Sequence, residues 1–328
     1  MKIKALKNML KGGFLRVKGF TLNDSILIIS SPRGGSTWLA EIFNAIPNTI
    51  LNWEPFHPEF GILPKSFKGG DALFIPEDQK SKRIKNLIED VLKFRIYSNF
   101  TLSFVALNQI LRSKQVITKS VRTTCLIPWI VKHLDLSRKP IYLLRHPIAT
   151  SFSHLKAFGK KEESIVHFEV PEVINNERFV EHKQYLNGLQ SMIERQVALW
   201  CINNMPVITH PEHGKKWVVA YYENLLLDPV KETNGLFNTQ GIKVDIELVQ
   251  NINFRKPSQT DLQQDLEMQT KKQLEKWQDW LTKEEKISIQ SIFDYFGLKV
   301  YSAYSALPIF INNNTSEYVS LTDKQPID

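Results

Sequence analysis

Two stretches of the chain carry residues whose types and order suit the capture of anions. The first is Ser31-Pro32-Arg33-Gly34-Gly35-Ser36-Thr37-Trp38, a glycine pair with a guanidinium before it and two hydroxyls after it. Glycines let backbone N–H groups close on an anion, and the start of a following helix adds its dipole. The second is Arg145-His146-Pro147 with Ser153 beyond it, in the spacing R-x-P-x5-S. A planar guanidinium holds a phosphate through two parallel hydrogen bonds, and a serine hydroxyl completes the grip. Between the two stretches lie groups able to move a proton or steady a charge. Asn52-Trp53-Glu54-Pro55-Phe56-His57 offers two bases, the Glu54 carboxylate and the His57 imidazole. Arg33 and Lys119 offer cations for an oxygen that gains negative charge as it departs.

Such groups need elements to hold them. The short apolar run Ser25–Ser30 suits a strand buried on both faces of a parallel sheet. Thr49–Trp53, Gln115–Lys119, Ile141–Arg145 and Trp217–Tyr221 read as further strands. Helical periodicity follows the glycine loop over Thr37–Phe43. Residues 80–112 read as largely helical, 174–204 as one long helix and 268–296 as helical again. Strands alternating with helices predict an α/β fold with a parallel sheet. Open sheets of this kind bind ligands beyond the carboxyl ends of their strands, which is where Arg145, Glu54 and the glycine loop fall. Gly159–Arg178 reads as a polar excursion. The expected organisation is a basic arm over residues 1–23, one domain over 24–304 and a tail over 305–328.

The glycine loop after a buried strand resembles the 5′-phosphosulfate loop of sulfotransferases, which move a sulfuryl group from 3′-phosphoadenosine 5′-phosphosulfate (PAPS). The Arg145–Ser153 spacing resembles the 3′-phosphate motif of the same family. The resemblance implies a P-loop NTPase-like three-layer fold, PAPS as donor and 3′-phosphoadenosine 5′-phosphate (PAP) as product. It also implies in-line displacement without metal or covalent enzyme intermediate. Arg33, Gly34, Gly35, Ser36, Thr37, Trp38, Arg145 and Ser153 are then the cofactor-binding residues. Trp217–Leu225 resembles the strand and Y-E-x-L segment of tyrosylprotein and carbohydrate sulfotransferases and adds Tyr222; Tyr221 stands where that family usually has Arg. Asn253–Ser258 resembles the late basic segment that folds over the cofactor, adding Arg255, Lys256 and Ser258. Pro257 there replaces the glycine of the cytosolic branch. Glu54-Pro55 resembles the carbohydrate sulfotransferases, in which the glutamate is the base, and Lys119-Ser120-Val121-Arg122 resembles their K-x-x-R segment. The implied catalytic set is Glu54, Arg33 and Lys119, with His57 as the other base, acting on a hydroxyl of a glycan or small molecule.

Composition sets the outer bounds. The chain has 328 residues, with 42 Lys and Arg against 34 Asp and Glu, a formal charge of +8. That surplus favours anionic partners without choosing among them. Lys2, Lys4, Lys7, Lys11, Arg16 and Lys18 open the chain with no acidic residue among the first 20. Leu6, Met9, Leu10, Phe14 and Leu15 interleave them, which leaves open an amphipathic arm at lipid headgroups or a solvated cationic terminus. No stretch reaches the roughly 18 uninterrupted apolar residues of a membrane span. The opening residues also lack a signal-peptide pattern. The expectation is a soluble, cytoplasmic, bacterial-type enzyme, peripheral to the membrane if the arm binds there. Cys125 and Cys201 read as buried thiols, and the histidines lack metal-ligand spacing, so no metal is expected. Two other functions compete. A P-loop-type nucleotide-dependent kinase would need the G-x-x-x-x-G-K-[ST] ending that this loop lacks. A basic nucleic-acid or membrane-binding module would leave the paired anion motifs unexplained, so no nucleic-acid partner is expected.

Overall fold

The computed structural model describes residues 2–63, 73–158, 167–172, 175–254 and 270–309. Its centre is a sheet of five parallel strands: β1 (Ser25–Ser30), β2 (Thr49–Trp53), β3 (Gln115–Ser120), β4 (Ile141–Leu144) and β5 (Val218–Tyr221). They lie side by side in the order β2-β3-β1-β4-β5. Every residue of β1, β2 and β4 is buried, as continuous apolar strands require when helices cover both faces. The fold is α/β, with helices packed around a parallel sheet. The chain leaves β1 towards β2 on one side and later returns to β4 on the other. The loop after β1 therefore sits at the topological switch point, where open sheets accept ligands.

The helices are α1 (Lys2–Lys18), α2 (Ser36–Asn44), α3 (Lys82–Leu92), α4 (Leu107–Arg112), α5 (Ile127–His133), α6 (Pro147–Phe158), α7 (Glu177–Glu181), α8 (Lys183–Gly188), α9 (Met192–Ile208), α10 (Tyr222–Leu227), α11 (Pro229–Thr239), α12 (Ile246–Gln250), α13 (Thr270–Glu275) and α14 (Lys283–Phe296). Two helical expectations are corrected. Residues 80–112 are not largely helical: α3 stops at Leu92, Phe94 adopts φ 51°, and Ser98 and Thr101 tie the next turn together with side-chain bonds. The expected long helix over 174–204 is three pieces. α7 and α8 end by Gly188, and α9 starts afresh where Ser191 and Glu194 form a capping box. Residues 270–296 are helical as expected, and a capping box at Thr282 and Glu285 divides them by starting α14. Beyond α14, Ala306 is buried and Ile309 donates to the Val300 carbonyl. Both cysteines are free and buried.

The N-terminal stretch packs in part. Leu15 and Phe20 join Ile50, Phe94, Leu102, Val105, Ile110 and Val116 in a second apolar cluster beside β2 and β3. No described helix is long and apolar enough to cross a membrane.

Candidate active site

Each strand delivers a candidate residue at or just past its carboxyl end. β1 leads into Arg33, Gly34 and Gly35; β2 into Glu54; β4 into Arg145; β5 into Tyr222. Lys119 is the next-to-last residue of β3. The parallel sheet alone brings these distant stretches to one edge.

The glycine loop is shaped by close approach. A Cβ on Gly34 would lie 2.1 Å from Ser30 Oγ, and one on Gly35 would lie 2.4 Å from the Tyr222 ring. Gly35 also holds φ 91°, which a larger side chain resists. It is the N-cap of α2, and no side chain caps that helix start. Ser36 and Thr37 are buried in the first turn. Helix-start N–H groups without a side-chain cap, under a loop that tolerates no Cβ, suit an anion. Trp38 packs edge-on to Tyr222 and Phe254 and donates from Nε1 to the Phe254 carbonyl at 3.2 Å.

The second anion motif meets the first directly. Arg33 Nε donates to Ser153 Oγ at 3.0 Å, and Arg145 Nη1 donates to the Arg33 carbonyl at 2.9 Å. The Arg145 guanidinium lies over the Tyr222 ring at 4.5 Å. Arg33 itself takes φ 65°, an uncommon backbone for a residue with a Cβ. Two guanidinium groups are thus gathered against one loop, a costly arrangement that a phosphate-rich anion would offset.

Behind Arg145 is a buried brace that sequence reasoning missed. Glu223 is 1% exposed, accepts the His146 N–H at 2.8 Å and the Tyr301 hydroxyl at 3.1 Å, and has its pKa raised by burial. His146 stacks on Trp277 with ring centroids 4.5 Å apart, and burial pushes its pKa down to about 3. The Y-E-x-L segment was the only signal for Glu223. Asn204 gave none: it accepts from the Tyr142 hydroxyl and exchanges bonds with Ser31, anchoring the glycine loop to α9.

Glu54 and Lys119 form a buried ion pair, 5% and 3% exposed. The Val121 N–H donates to Glu54 Oε2 at 3.2 Å, and Lys119 Nζ lies 4.4 Å from the Trp53 ring centroid. Glu54 holds φ 44°, so both Arg33 and Glu54 sit on left-handed backbone. His57 is committed differently. Its Nδ1 accepts the N–H groups of Glu59 and Phe60, each at 3.2 Å. The neutral ring therefore carries its proton on Nε2 and has no open lone pair. Burial, with Arg122 as the next cause, lowers its pKa.

A cavity of about 370 Å³ opens beside the loop. Its wall includes Ser31 and Pro32 from the loop, Val121 and Arg122 beside the ion pair, and Gln196, Trp200 and Asn203 from α9. The wall also holds Phe168 and Phe179. Two buried oxygens among the lining residues, Ser151 Oγ and Asn203 Oδ1, have no hydrogen-bond partner. Among the described residues no group of three His, Cys, Asp or Glu could hold a metal ion. Arg255, Lys256 and Ser258 lie outside the described residues.

A family model described as a sulfotransferase domain matches residues 23–304. No curated protein matches the chain. Among solved structures, mouse sulfotransferase SULT7A1 complexed with PAP is 15% identical, covers 86% of this chain and 87% of its own, and gives a TM-score of 0.43. The sulfotransferase domain from the curacin biosynthetic pathway is 18% identical over 83% of this chain and 97% of its own, with a TM-score of 0.38. Retinol dehydratase in a complex with retinol and PAP is 13% identical over 86% and 83%, with a TM-score of 0.39.

Proposed function

The chain belongs to the sulfotransferase-domain family, and from that premise we propose that it moves the sulfuryl group of PAPS to a hydroxyl of a carbohydrate-type acceptor. One observation carries the reading: Arg33 Nε meets Ser153 Oγ at 3.0 Å while Arg145 holds the Arg33 carbonyl. Two anion motifs far apart in sequence thus form one cationic surface at the switch point. Gly34, Gly35, Ser36 and Thr37 would hold the 5′-phosphosulfate, and Arg145 with Ser153 the 3′-phosphate. Tyr222 and Trp38 supply ring faces beside them. Arg255, Lys256 and Ser258 belong to the same proposed set through the late basic segment. PAPS supplies the sulfuryl group, whose bond to the 5′-phosphate oxygen breaks as the acceptor oxygen bonds to sulfur.

Glu54 takes the proton of the acceptor hydroxyl. His57 is less suited, since its own loop occupies Nδ1. Lys119 waits beside Glu54, and its charge, with that of Arg33, stabilises the departing phosphate oxygen. Pairing offsets part of what burying each of the two groups costs. The cavity supports a sugar-like acceptor. Trp200, Phe168 and Phe179 offer apolar faces, and Gln196 and Asn203 offer amides for hydroxyls.

Thermal unfolding with PAP, and separately with ATP and Mg²⁺, tests the reading. The expected result is stabilisation by PAP and a smaller effect of ATP. Absence of any PAP effect overturns it, and a reversed preference would favour the kinase.

A further inference from the structure

Helix α1 has two faces, and packing explains only one. Asn8, Gly12 and Leu15 are buried: Asn8 Nδ2 donates to Asn99 Oδ1 at 2.8 Å, Gly12 lies against the Tyr97 ring, and Leu15 enters the second apolar cluster. Leu10, Phe14 and Val17 follow one another at i, i+4 and i+7, so they share one side of the helix, with Met9 beside them. By the same periodicity that side is turned away from Asn8, Gly12 and Leu15. Met9, Leu10, Phe14 and Val17 are 66%, 47%, 39% and 85% exposed. Helix α4 packs alongside, with Lys18 Nζ donating to the Leu111 carbonyl at 2.8 Å. Leu107 and Leu111 on α4 are exposed as well. Grouped large apolar side chains facing solvent mark an interaction surface.

Charge selects the partner. The first acidic residue of the chain is Asp24, and none occurs from Val91 to Leu134. Arg16 on α1, Arg112 at the end of α4 and Lys114 just beyond it are exposed, and the half-buried Lys18 bonds the Leu111 carbonyl between the two helices. A second copy related by a two-fold axis would set these cations against their own equivalents. An anionic bilayer surface complements them, and the helix is built to lie on it rather than to cross.

We propose that α1 and α4 form a membrane-docking face. Met9, Leu10, Phe14 and Val17 enter the headgroup–acyl boundary of an anionic leaflet, and Arg16, Lys18, Arg112 and Lys114 meet its phosphates. The residues of this face are none of those assigned to the strand-end site, and the proposal owes nothing to the sulfuryl-transfer reading.

Co-sedimentation of the full chain with phosphatidylcholine vesicles, with and without phosphatidylserine, tests the proposal. Binding should require phosphatidylserine and weaken with salt. The variant Leu10→Ser/Phe14→Ser/Val17→Ser should retain the wild-type circular-dichroism melt, because these side chains are exposed, and lose vesicle partitioning by about tenfold or more. Arg16→Glu/Arg112→Glu should abolish the phosphatidylserine dependence. Equal binding to neutral and anionic vesicles, or undiminished binding by the serine variant, overturns the proposal. So does a size-exclusion profile in which wild type is a dimer and the serine variant a monomer, which would make a second copy the occupant.

Discussion

The donor side and the acceptor side proposed for the candidate site are built in different ways. On the proposed donor side, the residues stand one to five positions past the strand ends: Arg33 to Gly35 after β1, Arg145 after β4 and Tyr222 after β5. They lock to each other through Arg33–Ser153, Arg145–Arg33 and Arg145–Tyr222 contacts. On the acceptor side, the cavity wall is gathered from loops and helix faces between Ser31 and Asn204, and buried oxygens of Ser151 and Asn203 remain without partners. A sheet edge fixes short, local motifs, whereas a pocket wall is assembled from whatever elements pass by. The first should tolerate little change, and the second should tune preference without stopping the chemistry.

The largest expected effect lies where the two sides meet. Glu54→Gln should lower kcat by about 10³-fold, within the range for loss of a general base, while PAP-induced stabilisation persists. Steady-state kinetics beside thermal unfolding checks this, and unchanged turnover would remove Glu54 from the role. Next is Arg145→Ala on the donor side. It should weaken PAP by about 100-fold, as for a charge-assisted bidentate grip, and erase the preference over nucleotides lacking a 3′-phosphate. Calorimetric titration with both nucleotides reads it. If Arg145 affected acceptor KM alone, the division into two sides would fail.

A smaller effect concerns the packing behind the donor side. His146 has its pKa held near 3 by burial, below the roughly 6.5 of the unfolded chain. Between those values the unfolded state binds a proton that the folded state refuses. Its contribution to stability is therefore complete above about pH 6.5 and is lost as pH falls, by about 1.4 kcal/mol per pH unit. Urea unfolding at pH 7 and pH 5 should show His146→Phe losing about 2 kcal/mol less than wild type over that interval. An identical loss in both proteins would refute the assignment. The smallest effect belongs to the wall: Gln196→Ala should raise acceptor KM about fivefold, the worth of one hydrogen bond, and leave PAP binding intact. A change in PAP affinity instead would merge the two sides.

How much could be read beforehand follows the same division. The strands β1 to β5 were legible because continuous apolar runs between turn residues leave few alternatives. The glycine loop, Arg145, Glu54 and Lys119 were legible as candidates because each lies within a few residues of a strand end, and Ser153 because it follows Arg145 at a fixed spacing in the next helix. Helix breaks at Leu92, Gly188 and Trp280 were not, since side-chain caps and a left-handed residue decided them against a continuing periodicity.

Composition and local pattern alone determined that this chain forms a parallel α/β sheet, gathers cations and carries two anion motifs and a carboxylate. Tertiary structure decided which of these residues touch. It set Arg33 on Ser153, closed Glu54 onto Lys119 and occupied His57 with its own loop. It also buried Glu223 beneath His146 and turned Met9, Leu10, Phe14 and Val17 outward. Those outcomes depend on strand order and helix docking between residues far apart in sequence, and local periodicity carries no information about either.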